Sequence, residues 1–182
     1  MSDDRLAIFV DGLNLRHSAR ALGFEIDFRR LLSFASQNGT LLRAYYYTTL
    51  SADRDHQTVR PLLDWLAYNG FTVRTKPVKD WDDGEGRRKY RRSIAIDLAI
   101  DALDIVRRVN RLMLFSGDGD FRRLIDVVQR HGVHTTVVST VRTMPPMLAD
   151  ELRRQADDVL ELDELRSRIG RQSHTSRAPH AD

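Results

Sequence analysis

The chain has 182 residues, 41% of them hydrophobic and 30% charged, which is enough for one globular domain with a substantial core and a short tail. It contains no cysteine, so disulfides and thiolate zinc sites are excluded, and no segment approaches the roughly 20 apolar residues needed to span a bilayer. The net charge of +3 points only weakly to a polyanion, and arginine supplies all but three of the positive side chains, a usage that suits phosphate contacts and equally reflects a GC-rich genome.

Met1-Ser2-Asp3-Asp4 leads straight into an apolar run, so no signal peptide is expected and a cytoplasmic location follows by default. That run, Leu6-Ala7-Ile8-Phe9-Val10, predicts a first strand that is central in a sheet and covered on both faces. It ends at Asp11-Gly12-Leu13-Asn14, and a helix is expected over residues 13–22. Asp11 stands at the strand's carboxyl end, and Asn14 lies one helical turn inward, so both can point into a cleft. Both are also good capping residues, and a plain capping turn is the competing reading.

Residues 28–37 read as a helix closed by Asn38-Gly39. Residues 41–48 are rich in aromatics and predict a second strand. Its tyrosines offer faces on which nucleobases stack, yet such runs more often fill the space between sheet and helix. Core positions are expected for Tyr45 or Tyr47. Residues 53–68 are helical in pattern, with Val59, Leu62, Leu63, Leu66 and Ala67 on one face. Residues 71–78 alternate and contain Pro77, which predicts a strand near a sheet edge.

The composition changes sharply over residues 79–92. Asp80, Asp82, Asp83 and Glu85 come first, followed by Arg87, Arg88, Lys89, Arg91 and Arg92. A polar loop is expected here. The five cations, interrupted only by Tyr90, form a candidate phosphate contact; pairing between the acidic and basic halves is the alternative. The next helix, over residues 93–103, has its core stripe at Ala95, Leu98, Ala99, Ala102 and Val106. Asp97, Asp101 and Asp104 fall together on another side. They read as a solvated acidic face or, for Asp97 near the helix start, as a contribution to the cleft.

Arg111-Leu112-Met113-Leu114-Phe115 predicts a buried parallel strand, and residues 122–130 a helix. Ser116-Gly117-Asp118-Gly119-Asp120-Phe121 joins them, so two carboxylates sit at the edge where open α/β sheets bind ligands. Unpaired, they repel by about 1 kcal/mol in water and by several-fold more in a cleft. A divalent cation between them is the economical expectation. The alternative is a polar turn with Asp120 as the helix cap. His131 and His134 lack partners at metal-ligand spacing and are expected as cap and surface residues. Residues 133–139 predict a strand, 145–155 a short helix begun by Pro145-Pro146, and 157–162 a late edge strand. From Gly170 the chain has almost no apolar content, and a disordered polar tail is expected over residues 170–182.

The strand–helix alternation predicts one doubly wound α/β domain over residues 1–169 with a mainly parallel central sheet. Its carboxyl edge would collect Asp11, Asn14, Asp118 and Asp120, with Asp97 or Asp101 from a neighbouring helix. An oxygen-only set of this kind suits Mg²⁺ or Mn²⁺, and two such ions about 3.5–4 Å apart can clamp a phosphodiester. No glycine fingerprint follows the first strand, which disfavours a dinucleotide-binding module.

Ile8-Phe9-Val10-Asp11-Gly12-Leu13-Asn14 resembles the opening motif of NYN domains of the LabA group, which have a PIN-like nuclease fold. Leu98-Ala99-Ile100-Asp101-Ala102-Leu103 and Ser116-Gly117-Asp118-Gly119-Asp120-Phe121 resemble the second and third motifs, in the right order. Asp157-Asp158-Val159-Leu160-Glu161-Leu162 is similar to the closing strand, so the resemblance covers residues 5–165. It implies a metal-dependent ribonuclease, with Asp11, Asn14, Asp118 and Asp120 mapping directly onto the shared acidic cluster. Metal ligands are expected among Asp11, Asp118 and Asp120, with Asp97 and Asp101 in addition, and the cations Arg87, Arg88, Lys89, Arg91 and Arg92 against the RNA backbone. One position departs from the pattern: six residues ahead of Asp101 the family usually carries aspartate, and this chain has Ala95. Asp97 is the nearest substitute. A rebuilt ribonuclease site and a non-catalytic RNA-binding protein with a degraded site are therefore both expectations. A phosphatase or small-nucleotide hydrolase is a third, more distant one. RNA is the expected partner, no membrane is, and self-association into a homo-oligomer is left open.

Overall fold

The computed structural model describes residues 4–50, 55–77, 79–82, 88–91 and 94–172. The elements in chain order are β1 (Arg5–Asp11), α1 (Gly12–Ala21), α2 (Phe28–Gln37), β2 (Thr40–Leu50), α3 (Asp55–Tyr68), β3 (Phe71–Pro77), β4 (Lys79–Asp82) and β5 (Arg88–Arg91). They continue with α4 (Ala95–Ile105), β6 (Arg111–Phe115), α5 (Arg122–Arg130), β7 (His134–Ser139), α6 (Asp150–Gln155), β8 (Asp158–Glu161) and α7 (Arg166–Ile169). Six strands form one all-parallel sheet in the order β3-β2-β1-β6-β7-β8. Counted along the chain this is the doubly wound order, and its direction of winding reverses between β1 and β6.

The alternation of side chains along each strand divides the core into two layers. Ile8, Val10 and Tyr46 face α1, α2, α3 and α7, while Ala7, Phe9, Tyr45 and Tyr47 face α4, α5 and α6. Phe9 and Tyr45 stack with ring centroids 4.8 Å apart, and Tyr46 and Tyr47 are fully buried. A fully buried side chain of this size contributes about 1.5–3 kcal/mol, so the aromatic run of β2 serves the core rather than a base-stacking surface. β3 and β8 are the sheet edges, as their alternation and late position predict. No helix among the described residues is long and apolar enough to cross a membrane.

Three local expectations are corrected. The segment expected as a polar loop contains an antiparallel ribbon, β4–β5, with Asp82 in register with Arg88 and Lys79 with Arg91. Of the four register pairs, one sets an acid opposite a base, Asp82 with Arg88, so the ribbon is defined by its backbone ladder and not by pairing of an acidic half with a basic half. The helix expected from Pro145 begins instead at Asp150. Met144 and Pro145 each precede a proline and are steered out of helical geometry, and the N–H groups of Met147 and Leu148 bond to the Thr140 carbonyl. Asp118, not Asp120, is the capping residue: its Oδ1 accepts the Asp120 N–H at 3.0 Å, opening a single 3-10 turn over Gly119–Phe121 before α5. At the far end Gly170 bridges to Ile26, and the Arg171 N–H donates to the Glu25 carbonyl at 2.8 Å. Residues 173–182, most of the expected tail, lie outside the described residues.

Candidate active site at the carboxyl edge of the sheet

The motifs at the ends of β1 and β6 meet where the winding reverses, the place where a crevice opens in such sheets. Asp11 closes β1 and caps α1. Its Oδ1 accepts the Asn14 N–H at 3.2 Å, and its Oδ2 accepts the Ser116 hydroxyl at 3.1 Å. The Ser116 Oγ in turn accepts the Asp118 N–H at 3.3 Å. Asn14 Oδ1 accepts the Gly117 N–H at 3.0 Å. Two of these bonds, Ser116 to Asp11 and Gly117 to Asn14, stitch the two strand ends together. Gly117 is required by space: a Cβ there would stand 2.0 Å from the Met147 carbonyl oxygen and 2.4 Å from Ser139 Oγ.

Asp11 is 8% exposed, whereas Asp118 and Asp120 are exposed at the mouth. Burial pushes the Asp11 carboxyl above its ordinary range, and the Asp118 charge pushes the same way. The hydrogen bonds from Asn14 and Ser116 offset only part of this. Among the described residues no lysine, arginine or histidine forms an ion pair with Asp11, Asp118 or Asp120. A hard cation would relieve both the burial and the repulsion, so the donor set at this edge fits Mg²⁺ or Mn²⁺.

The acids of α4 are differently engaged. Asp101 receives Arg74 at two points, Nε to Oδ2 at 3.1 Å and Nη2 to Oδ1 at 3.2 Å, and the Tyr47 hydroxyl donates to Oδ2 at 2.9 Å. Asp97 pairs with Lys76 Nζ at 3.1 Å. Burial and the bond to Asp101 push the Tyr47 phenol far above its ordinary range, so it acts only as a donor there. Among the described residues no three acidic or histidine side chains stand close enough to hold an ion by themselves. The structure places Asp11, Asn14 and Asp118 at one hydrogen-bonded junction, with Asp120 exposed in the adjoining turn, while the Asp97 and Asp101 carboxylates are turned to cations of β3.

Of the basic cluster, Arg88, Lys89 and Arg91 lie on β5, and Arg87 and Arg92 lie outside the described residues. His131 caps the end of α5, and His134 Nε2 meets Asp158 Oδ2 at 2.7 Å, so both have structural roles. Sequence reasoning gave no role to Ser116, Arg74 or Lys76. The last two were legible in principle, because their two-residue spacing on β3 matches the four-residue spacing of Asp97 and Asp101 on α4.

Known proteins match across this whole arrangement. The profile of the NYN domain matches residues 5–163, a span that runs from β1 through β8. The low amplitude and bright protein LabA of Synechococcus elongatus is 38% identical over 169 residues, covering 91% of this chain and 87% of LabA. A crystal structure of a protein of unknown function from Vibrio parahaemolyticus shares the fold with a TM-score of 0.71 at 25% identity, covering 93% of this chain and 97% of that one. With its three acidic motifs meeting the profile from the first strand to the last, the chain belongs to the NYN domain family, a PIN-like nuclease family, and is a homologue of LabA.

Proposed function

We propose that the protein is a divalent-metal-dependent ribonuclease that hydrolyses RNA phosphodiesters at the β1/β6 edge. The observation that carries this reading is Asp11, a buried carboxylate with raised proton affinity, beside Asp118 and without a cationic partner among the described residues. Mg²⁺ is commonly held by one or two carboxylates together with substrate phosphates, so this pair suffices without a closed cage. The bound ion would supply Lewis-acid chemistry, activating water and offsetting charge on the phosphate. Asp11 and Asp118 would hold it, and Asp120 would extend the acidic mouth. Asn14 spends its Oδ1 on Gly117, which leaves its amide N–H₂ to donate to water or to a phosphate oxygen. The cations Arg87, Arg88, Lys89, Arg91 and Arg92 would hold the RNA backbone. The test is purified protein with mixed RNA, with Mn²⁺ or with chelator, beside Asp11→Asn. Cleavage that needs the metal and is lost in a variant still binding RNA supports the assignment; a variant cleaving at the parent rate refutes it.

A second reading, a non-catalytic RNA-binding protein that keeps the fold, is favoured by Ala95 and by the engagement of Asp97 and Asp101 with Lys76 and Arg74. It requires salt-sensitive RNA binding with no turnover under any metal. Ala95→Asp distinguishes the two. A large gain in cleavage marks a degraded site, and an active parent unchanged by the substitution marks a rebuilt one.

A further inference from the structure

A cavity of about 570 Å³ opens between α1, α2 and α3, in the helix layer opposite α4. It is lined by Arg16, Arg20 and Arg29 and by Phe24, Leu62 and Trp65. Its two carboxylates are already occupied. Asp27 caps α2, accepting the N–H groups of Arg29 and Arg30, and Glu25 pairs with Arg171 at 3.0 Å. Arg16, Arg20 and Arg29 have no acidic partner among the described residues. The lining carries four guanidinium groups, Arg16, Arg20, Arg29 and Arg171, against two carboxylates, Glu25 and Asp27, so it keeps a net positive charge that favours an anion, and guanidinium geometry suits phosphate.

The rest of the wall is aromatic. Trp65 is half-buried with the Arg29 guanidinium 5.8 Å from its ring centroid, and one face of Phe24 is covered by Arg166 at 5.2 Å. A volume of this size falls within the about 300–1,000 Å³ range of small-molecule sites, far more than a bare phosphate needs. The space beside the arginines is therefore shaped for a flat apolar group carried by the same ligand.

We infer that this cavity binds a nucleoside phosphate, with the phosphate on Arg16, Arg20 and Arg29 and the base against Trp65 and Phe24. The ligand is a free mononucleotide or one nucleotide of a single-stranded RNA; the chemistry is shared, and the source is read by experiment. The site is independent of the cleavage chemistry proposed above.

The protein has two tryptophans, so a Trp81→Phe background leaves Trp65 as the only indole. Its fluorescence is followed, with chelator present throughout, against adenosine 5′-monophosphate, adenosine, ribose 5-phosphate and a five-residue oligoadenylate. Saturable change is expected with the mononucleotide or the oligoadenylate, with adenosine and ribose 5-phosphate each at least about tenfold weaker, since stacking and a charge-assisted bond are each worth about that factor. Arg16→Gln with Arg29→Gln should weaken binding at least about tenfold. Arg20→Gln, on an exposed residue, supplies the test if the double variant does not fold. Response to the mononucleotide identifies the free ligand, and response to the oligoadenylate alone identifies RNA. No saturable response to either at millimolar concentration, equal affinity for adenosine, or binding untouched by the arginine variants overturns the inference.

Discussion

The Ser116 hydroxyl donates to Asp11 Oδ2 at 3.1 Å and accepts the Asp118 N–H at 3.3 Å. One oxygen thus orients the buried carboxylate and the turn that carries its partner. Ser116→Ala removes a bond that holds the Asp11 carboxyl down, so that carboxyl rises further above its ordinary range. Cleavage is expected to fall about tenfold, the worth of one bond to a charged group. The acid limb of the pH–rate profile should move to higher pH, because ionised Asp11 then needs a higher pH. A limb that stays in place would show that Ser116 acts only as packing.

Asp11→Asn separates function from stability. The folded-state carboxyl titrates above the ordinary value of 3.8, so between the two the native state binds more protons than the unfolded chain. Stability therefore declines as pH rises through that window, and the cost persists at neutral pH. The variant, free of this charge, should melt higher than the metal-free parent at pH 7, with the difference vanishing as pH falls below 3.8. Mn²⁺ should raise the melting temperature of the parent and not of the variant. Thermal melts across pH, with and without the ion, check both statements.

Arg74→Gln releases Asp101 from its two-point contact. The Arg74 side chain is 52% exposed, so the loss in stability is expected at no more than about 1 kcal/mol. The Mn²⁺ concentration giving half-maximal cleavage should fall, since a carboxylate near the helix face becomes available to the ion. An increase would show that Arg74 supports the site rather than competing for it.

Two glycines of one motif should respond very differently to alanine. At Gly117 the obstruction is the Met147 carbonyl, fixed in the backbone, at 2.0 Å. At Gly119 it is Glu151 Oε1, the end of a flexible side chain, at 2.3 Å. Gly117→Ala is expected to cost about 3 kcal/mol and Gly119→Ala less than about 1 kcal/mol. Urea unfolding midpoints read the difference.

Asp157 anchors the start of β8 by accepting the Thr135 N–H and hydroxyl, each at 2.7 Å. Burial works against the ionised form, but these bonds outweigh it and hold the carboxyl below its usual range. Asp157→Ala takes the acceptor from the Thr135 N–H, while the hydroxyl still accepts from Gln129 and the residue 157 N–H, and should cost about 2 kcal/mol. The contribution is present above pH 3.8 and is lost as pH falls through the lowered value, so parent and variant should converge in acid.

The architecture was legible because its signals are local. Leu6-Ala7-Ile8-Phe9-Val10 is apolar without alternation, which only a strand covered on both faces requires, and Asp11 and Asp118 each follow such a run. That these two ends lie side by side follows from the winding order. Partnerships between distant side chains were not legible. Asp101 and Arg74 look the same in sequence whether they face solvent, an ion or each other. Residues 79–92 read as a loop because alternation over four residues, as in Lys79-Asp80-Trp81-Asp82, is too short to announce a ribbon without knowledge of its partner strand.

The pairing of Arg74 and Lys76 with Asp101 and Asp97 has a mechanical side. Two residues along a strand span about 6.6 Å, and four along a helix about 6.0 Å, so the two carboxylates and two cations fit as pins and sockets of nearly equal pitch. A slip of α4 by one turn in one direction would leave Arg74 opposite Ile105, and in the other would leave Lys76 opposite Ser93. Either slip forfeits one of the two contacts. The helix that carries the second acidic motif is thereby indexed against the sheet to a single notch, with no ligand needed at the edge.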